Sequence, residues 1–189
     1  MLRVILTRIL FKVFIAGIAF SCKEDALPKP KAQLRLEYPS QKYNRTETAC
    51  PFVFEKSTKS QMKINNKCWV NIEYTEMKAT INITYRPVEK NLKELFIEAE
   101  KLTFNHTIKA DGISSVPYSN KDKKVYGAIY EVTGNAASPL QFHVTDSTNH
   151  FITGAVYFNV QPNYDSIKPA ISYLQKDIVH LIESMEWKD

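Results

Sequence analysis

Glycine is scarce, with five in 189 residues, which excludes a collagen-like repeat and leaves nothing from which a glycine-rich phosphate cradle could be built. Ser114, Ser115 and Ser147 stand in no G-x-S-x-G elbow, so a nucleophile-elbow hydrolase is not supported. Histidines number four and cysteines three, a thin supply for metal or redox chemistry. No apolar run approaches the roughly 20 residues that cross a bilayer, which excludes a polytopic membrane protein. Acidic residues are missing from the first 21 positions, whereas Arg3, Arg8 and Lys12 lie there. Of the 25 Lys+Arg, removing these three leaves 22 against 20 Asp+Glu over the remaining 168 residues, so most of the formal +5 belongs to the N-terminal segment. The nearly neutral remainder has no electrostatic footprint for a phosphate polymer, and no nucleic-acid partner is expected. What remains is ordinary for a globular chain, 44% apolar and 24% charged, and one domain is the first estimate.

What is present begins with an export signal. Three basic residues precede the apolar run Val13 to Phe20, and Ser21-Cys22 follow. Eight apolar residues cover only about 12 Å at roughly 1.5 Å each, short of the roughly 30 Å hydrocarbon core. Ala19-Phe20-Ser21 satisfies the small-x-small rule of an ordinary signal, and small residues before a cysteine also resemble a bacterial lipobox; both readings cut before Cys22. Three observations favour lipidation of Cys22. It stands alone directly behind the apolar run. The tail Lys23 to Lys31 is polar and punctuated by Pro28 and Pro30, a tether rather than a strand or helix. Taking Cys22 away leaves Cys50 and Cys68 as an even pair, suited to a disulfide in an oxidising compartment. Ala19 and Phe20 depart from the strongest lipobox, which has Leu and a smaller residue there. The map expected is a lipoprotein signal over 1–21, lipidated Cys22 and a flexible tether over 22–32, and one envelope domain over 33–189. The partner expected through Cys22 is the lipid bilayer.

Alternation of apolar and polar residues predicts strands at 33–39, 49–55, 62–64, 68–74 and 79–85, the last two joined as a hairpin by Thr75 to Lys78. Cys50 and Cys68 fall at the starts of two of these; with no histidine nearby they make a poor zinc pair and a better disulfide. Leu92, Leu95, Phe96, Ala99, Leu102 and His106 recur at three and four, predicting an amphipathic helix over 91–107. Asp111-Gly112 and Ser114 to Lys124 read as a long polar loop. Strands follow at 125–133, 140–145 and 151–160, then a helix over 166–187 striped by Ile167, Ile171, Leu174, Ile178, Leu181, Ile182 and Met185, with Pro169 tolerated in its first turn. The class is α+β, a mostly antiparallel sheet covered by two helices. The second half, with Phe158-Asn159 before the closing turn, resembles the photosystem extrinsic PsbP-like sandwich, a likeness of fold that transfers no function.

Candidates for chemistry are few. His143, Asp146 and His150 bracket one turn and are the best metal-like cluster, although polar residues are what any turn contains; no metal or cofactor is assigned. His106 reads as a packing edge and His180 as a solvated position. Glu94 with Glu98, and Asp177 with Glu183, read as exposed helix faces rather than acid and base pairs. Asn44, Asn82 and Asn105 head N-x-T tripeptides of little weight in an exported bacterial protein. Asp146-Ser147-Thr148 and Asp165-Ser166-Ile167 fit a bacterial O-glycan acceptor less well than a turn and a helix cap. No catalytic residue is assigned.

Cys22-Lys23-Glu24-Asp25 with Leu27-Pro28-Lys29-Pro30-Lys31, then Leu34-Arg35-Leu36-Glu37-Tyr38-Pro39 and Tyr43, resembles the start of mature gliding-motility lipoproteins of the GldD type. His143-Val144-Thr145-Asp146-Ser147, Phe158-Asn159 and Asp177 to Ser184 resemble the far end of the same family. The resemblance implies a membrane-anchored lipoprotein required for gliding motility and the associated type IX protein secretion, acting as a non-catalytic accessory or assembly factor. Its implied partners are other motility and secretion proteins of the envelope. It brings no catalytic residue and no cofactor, and gives a role to Cys22 alone, as the lipid attachment. Lys23-Glu24-Asp25 also resembles a basic-then-acidic signal for the outer face of the outer membrane, placed early enough to leave the leaflet open. The alternative is a lipid-anchored module that binds or hydrolyses a small envelope ligand in a cleft between sheet and helix.

Overall fold

The computed structural model describes residues 38–104, 110–160 and 163–188. The signal, Cys22, the tether, residues 33–37 of the first expected strand, Asn105 and His106 lie outside the described residues. The chain runs through β1 (Tyr43–Arg45), β2 (Phe52–Val53), β3 (Glu55–Ser57), β4 (Gln61–Ile64), β5 (Val70–Tyr74), β6 (Ala79–Pro87), α1 (Leu92–Phe104), β7 (Ala110–Asn120), β8 (Val125–Gly134), β9 (Leu140–Thr145), β10 (His150–Phe158), α2 (Tyr164–Ser184) and β11 (Glu186–Trp187). The α+β class stands as expected, with an antiparallel sheet covered by two helices.

Alternation builds the sheet. Val70, Ile72 and Tyr74 of β5 and Ala79, Ile81 and Ile83 of β6 are buried, and a 3-10 turn over Thr75–Met77 joins the two strands. Lys78 closes that turn at φ +49° and its N–H donates to the Thr75 carbonyl. Two meanders, β4-β5-β6 and β7-β8-β9-β10, then meet where β6 and β10 pair from Ala79↔Phe158 to Pro87↔His150. The result is one seven-stranded antiparallel sheet in the order β4-β5-β6-β10-β9-β8-β7.

Each face takes one helix. α2 lays Ile167, Ile171, Leu174, Ile178, Leu181 and Ile182 on Ile72, Ile81, Ile83, Phe142, Val144, Ile152 and Val156, the main core. Each of these side chains gains roughly 1.5–3 kcal/mol relative to exposure, so this face carries most of the hydrophobic stabilisation. α1 covers the other face with less, burying Leu95 and Ala99 on Phe151. The parity of β10 separates the two cores: Ile152 and Val156 face α2, Phe151 faces α1. Gly154 lies between Ile152 and Val156 because the Phe142 ring fills the space its Cβ would need, 2.2 Å away.

Three expectations are corrected. The segment read as a polar loop is β7, paired with β8 along its length. It is a sheet edge, with Ile113 and Tyr118 only half-buried and Val116 exposed, so it carries no apolar alternation; an edge is also where Pro117 is tolerated. The last helix begins at Tyr164, capped by the Asn163 side chain accepting from the Ser166 N–H, which puts Pro169 in the second turn rather than the first. It ends at Ser184, not 187, because Met185 turns extended and Glu186–Trp187 pair with Val53 and Phe52. In the first half the expected strand 49–55 is instead two short strands, β2 and β3, and β1 pairs with β3.

Cys50 and Cys68 are joined, their Cα atoms 5.7 Å apart and 18 residues apart in sequence. The bond ties the approach to β2 onto the loop before β5. Replacing both cysteines by alanine is expected to cost about 3 kcal/mol through the freed loop entropy of the unfolded chain. Urea unfolding checks this, and a loss under about 1 kcal/mol would show that packing around Cys50 holds the loop unaided.

Candidate functional site

The turn expected to gather His143, Asp146 and His150 separates them. Thr145 pairs with Phe151 and His143 with Thr153, so His143 projects on the α1 face of the sheet and His150 on the other. His143 packs edge-on to Phe96, 5.2 Å between ring centroids, and stacks near Phe151 at 6.0 Å. His150 stacks on Trp187 at 5.1 Å, and its Nδ1 lies 3.0 Å from the Tyr85 hydroxyl. Asp146 caps the turn: its Oδ1 accepts from the N–H groups of Thr148, Asn149 and His150. Burial acts to raise this carboxyl, but the three N–H groups outweigh it and hold it below the ordinary range. Ser147 sits in the same turn at φ +69°. Among the described residues no group of three or more His, Cys, Asp or Glu could hold a metal ion.

The carboxylate pairs fare differently from one another. Glu98 is exposed and pairs with Arg86 at 2.5 Å. Asp177, read as part of an exposed face, is buried at 3% exposure and accepts three hydrogen bonds. The Tyr74 hydroxyl donates to one carboxylate oxygen at 2.8 Å, and the Tyr43 hydroxyl and Gln41 Nε2 donate to the other at 2.9 Å each. The group pins the strand that enters the fold to α2, and both its oxygens are occupied. Burial and the facing carboxylate push the Tyr74 hydroxyl far up, so it remains a donor throughout the physiological range. Beside this hub His180, expected to be solvated, is half-buried, stacked on Tyr43 at 3.6 Å with Nε2 2.7 Å from Glu55.

A cleft of about 260 Å3 opens on the α1 face of the sheet. Strand register lays two polar rows across its floor. One runs Asn82 (β6), Ala155 (β10), Gln141 (β9), Tyr130 (β8); the next runs Thr84, Thr153, His143, Ala128. Ala99, Leu102 and Thr103 of α1 line the opposite side, and Tyr157 is half out of its mouth. Thr103 Oγ1 lies 3.0 Å from Gln141 Oε1, while Gln141 Nε2, on a residue only 6% exposed, has no partner among the described residues. Leaving a buried amide unpaired costs about 1–3 kcal/mol. Burial lowers the His143 pKa, with Glu100 opposing, so the imidazole is neutral at physiological pH. Glu100 is not among its hydrogen-bond partners, and the imidazole packs against the rings of Phe96, Tyr130 and Phe151.

Sequence reasoning named His143 and missed Gln141, Thr103, Thr84 and Thr153. A signal was there: in β9 the polar residues Gln141, His143 and Thr145 alternate with Leu140, Phe142 and Val144, yet all six are buried. Such a strand carries one apolar and one polar face, both covered. The family model described as gliding motility lipoprotein GldD matches residues 23–187. No curated protein matches the chain.

Proposed function

The chain belongs to the gliding motility lipoprotein GldD family, and from that premise we propose that it acts as a non-catalytic accessory or assembly factor required by both gliding and type IX secretion, tethered through acylated Cys22. As a member of that family it is a gliding-motility-associated lipoprotein of the cell envelope, anchored to a membrane. The observation that carries the reading is the extent of the match, which begins at Lys23, directly behind Cys22, and runs to Trp187. The site chemistry supports it too. Asp177 has both oxygens engaged by protein donors, and His143 is neutral with no carboxylate at hydrogen-bond distance among the described residues. The near-neutral domain fits contact with proteins or lipid rather than nucleic acid.

Deleting the gene is expected to abolish colony spreading and the export of proteins that use the type IX route, with both restored by the wild-type gene. Measuring spreading and the secreted protein profile together checks the proposal; a deletion strain normal in both rejects it. A second reading, a ligand-binding envelope module, is favoured by the cleft and its Gln141 Nε2, which has no partner among the described residues.

A further inference from the structure

We propose that the cleft beneath α1 is a binding site for a single uncharged sugar residue, with the Gln141 amide as its central donor. Three features of the cleft select that class of ligand. The first is the amide itself: the Gln141 side chain is buried and lines the cleft, and its Nε2 has no hydrogen-bond partner among the described residues, so two hydrogens are open to an acceptor brought by a ligand.

The second is the charge of the lining. Among the described residues no Lys, Arg, Asp or Glu lines the cleft, and His143 is held neutral by burial. A phosphate or carboxylate would enter without a counter-charge and against the field of Glu100, and an ammonium would find no carboxylate in the lining itself, so a charged ligand meets a poorly compensated desolvation cost. A lipid chain would leave Gln141, Thr103 and Asn82 facing methylenes and is excluded by the same reasoning.

The third is the distribution of polar groups. They come from the floor on neighbouring strands, spaced about 4.8 Å apart, and from Thr103 on the facing helix. A ligand satisfied there must carry donors and acceptors around its whole periphery. A pyranose does, through hydroxyls that both give and accept; a flat heteroaromatic base carries them along its edges and needs ring faces on both sides. Tyr130, at the β8 end of the floor, and the exposed Tyr157 also line the cleft and can cover apolar C–H patches of a sugar ring. The volume, about 260 Å3, falls just under the roughly 300–1,000 Å3 of pockets for drug-sized ligands, so one residue fits and a chain must continue outside.

The proposal is independent of the motility role. Its test is saturation-transfer NMR on the full-length lipidated protein in a detergent without a sugar headgroup. The probes are free neutral hexoses and N-acetylhexosamines, short oligosaccharides ending in them, and the matching uronic acids. Saturation transfer from a neutral sugar is expected, weakened at least tenfold by Gln141→Met, which keeps the length of the side chain and removes the donor. Tyr157→Ala, at the exposed mouth, is expected to weaken it as well, and Ile97→Ser, on the solvent side of α1, to leave it unchanged. Binding of free sugars identifies a soluble ligand, and binding of oligosaccharides alone identifies the end of a glycan. The proposal is overturned if no neutral sugar transfers saturation, if a uronic acid binds more tightly than its neutral parent, or if both variants bind as the wild type does.

Discussion

Asp177→Ala is expected to destabilise the protein by about 3–5 kcal/mol, because it removes the common acceptor of three donors, of which Gln41 keeps the Tyr173 carbonyl. The Tyr74 hydroxyl is fully buried and has no route to water, whereas Tyr43 and Gln41 are half-buried and recover part of the loss through solvent. Asp177→Asn should cost under about 2 kcal/mol, since the amide oxygen still accepts from Tyr43 and Gln41 and its NH2 can donate to the Tyr74 oxygen. The Tyr74 hydrogen can then turn to Ser60, already beside it. The pair also differs in pH dependence. Burial raises the Asp177 carboxyl above its ordinary value, with the hydrogen bonds from Tyr74, Tyr43 and Gln41 pulling it partly back. The folded chain therefore retains a proton that the unfolded chain releases between the ordinary value of 3.8 and the raised one. Stability contributed by this residue falls as pH rises through that window, and Asp177→Asn removes the slope. Urea unfolding of the three proteins across the acid range measures both effects. An alanine variant as stable as the wild type would show that the hydrogen bonds are ornamental.

Cys22→Ser should abolish labelling with palmitate and move the protein from the membrane to the soluble fraction. If Cys22 carries two or three long chains, each buried methylene holds the bilayer with about 0.8 kcal/mol, and losing them removes the anchor outright. The released domain should keep its Cys50–Cys68 bond and its cooperative unfolding, which separates a failure of anchoring from a failure to fold. If anchoring is how the protein reaches its partners, spreading is lost in this strain as it is in the deletion. Continued labelling of the serine variant would overturn the lipid assignment.

The long helix and the β5–β6 hairpin were legible because each has one solvent face and one buried face, so its period shows in the residues. β7 was not, since an edge strand is specified by the partner that it pairs with rather than by its own pattern. β11 was hidden for a similar reason: two residues pairing with Phe52 and Val53 leave no period to detect. Asp177 was misread although its place was visible, three residues after Leu174 and four before Leu181, squarely on the apolar stripe of α2. A carboxylate on that stripe must have partners, and those are supplied from residues more than 100 positions away. The histidines around the turn show what parity alone decides. The register Thr145↔Phe151 places positions 143 and 153 on one face and 150 on the other, and a register one residue different would have reversed it.

The Asp177 hub has a mechanical consequence. Gln41 and Tyr43 are the first side chains, counting from the N-terminal side of the described residues, that are hydrogen-bonded to α2. A pull arriving along the chain from a lipid anchor on Cys22 would reach them before it reached the seven-stranded sheet. Those bonds and the short β1–β3 pairing would bear the load, with the central β6–β10 ladder in series behind them. If the chain is anchored through Cys22 to a machine that moves, the Asp177 cluster would take the first share of that load.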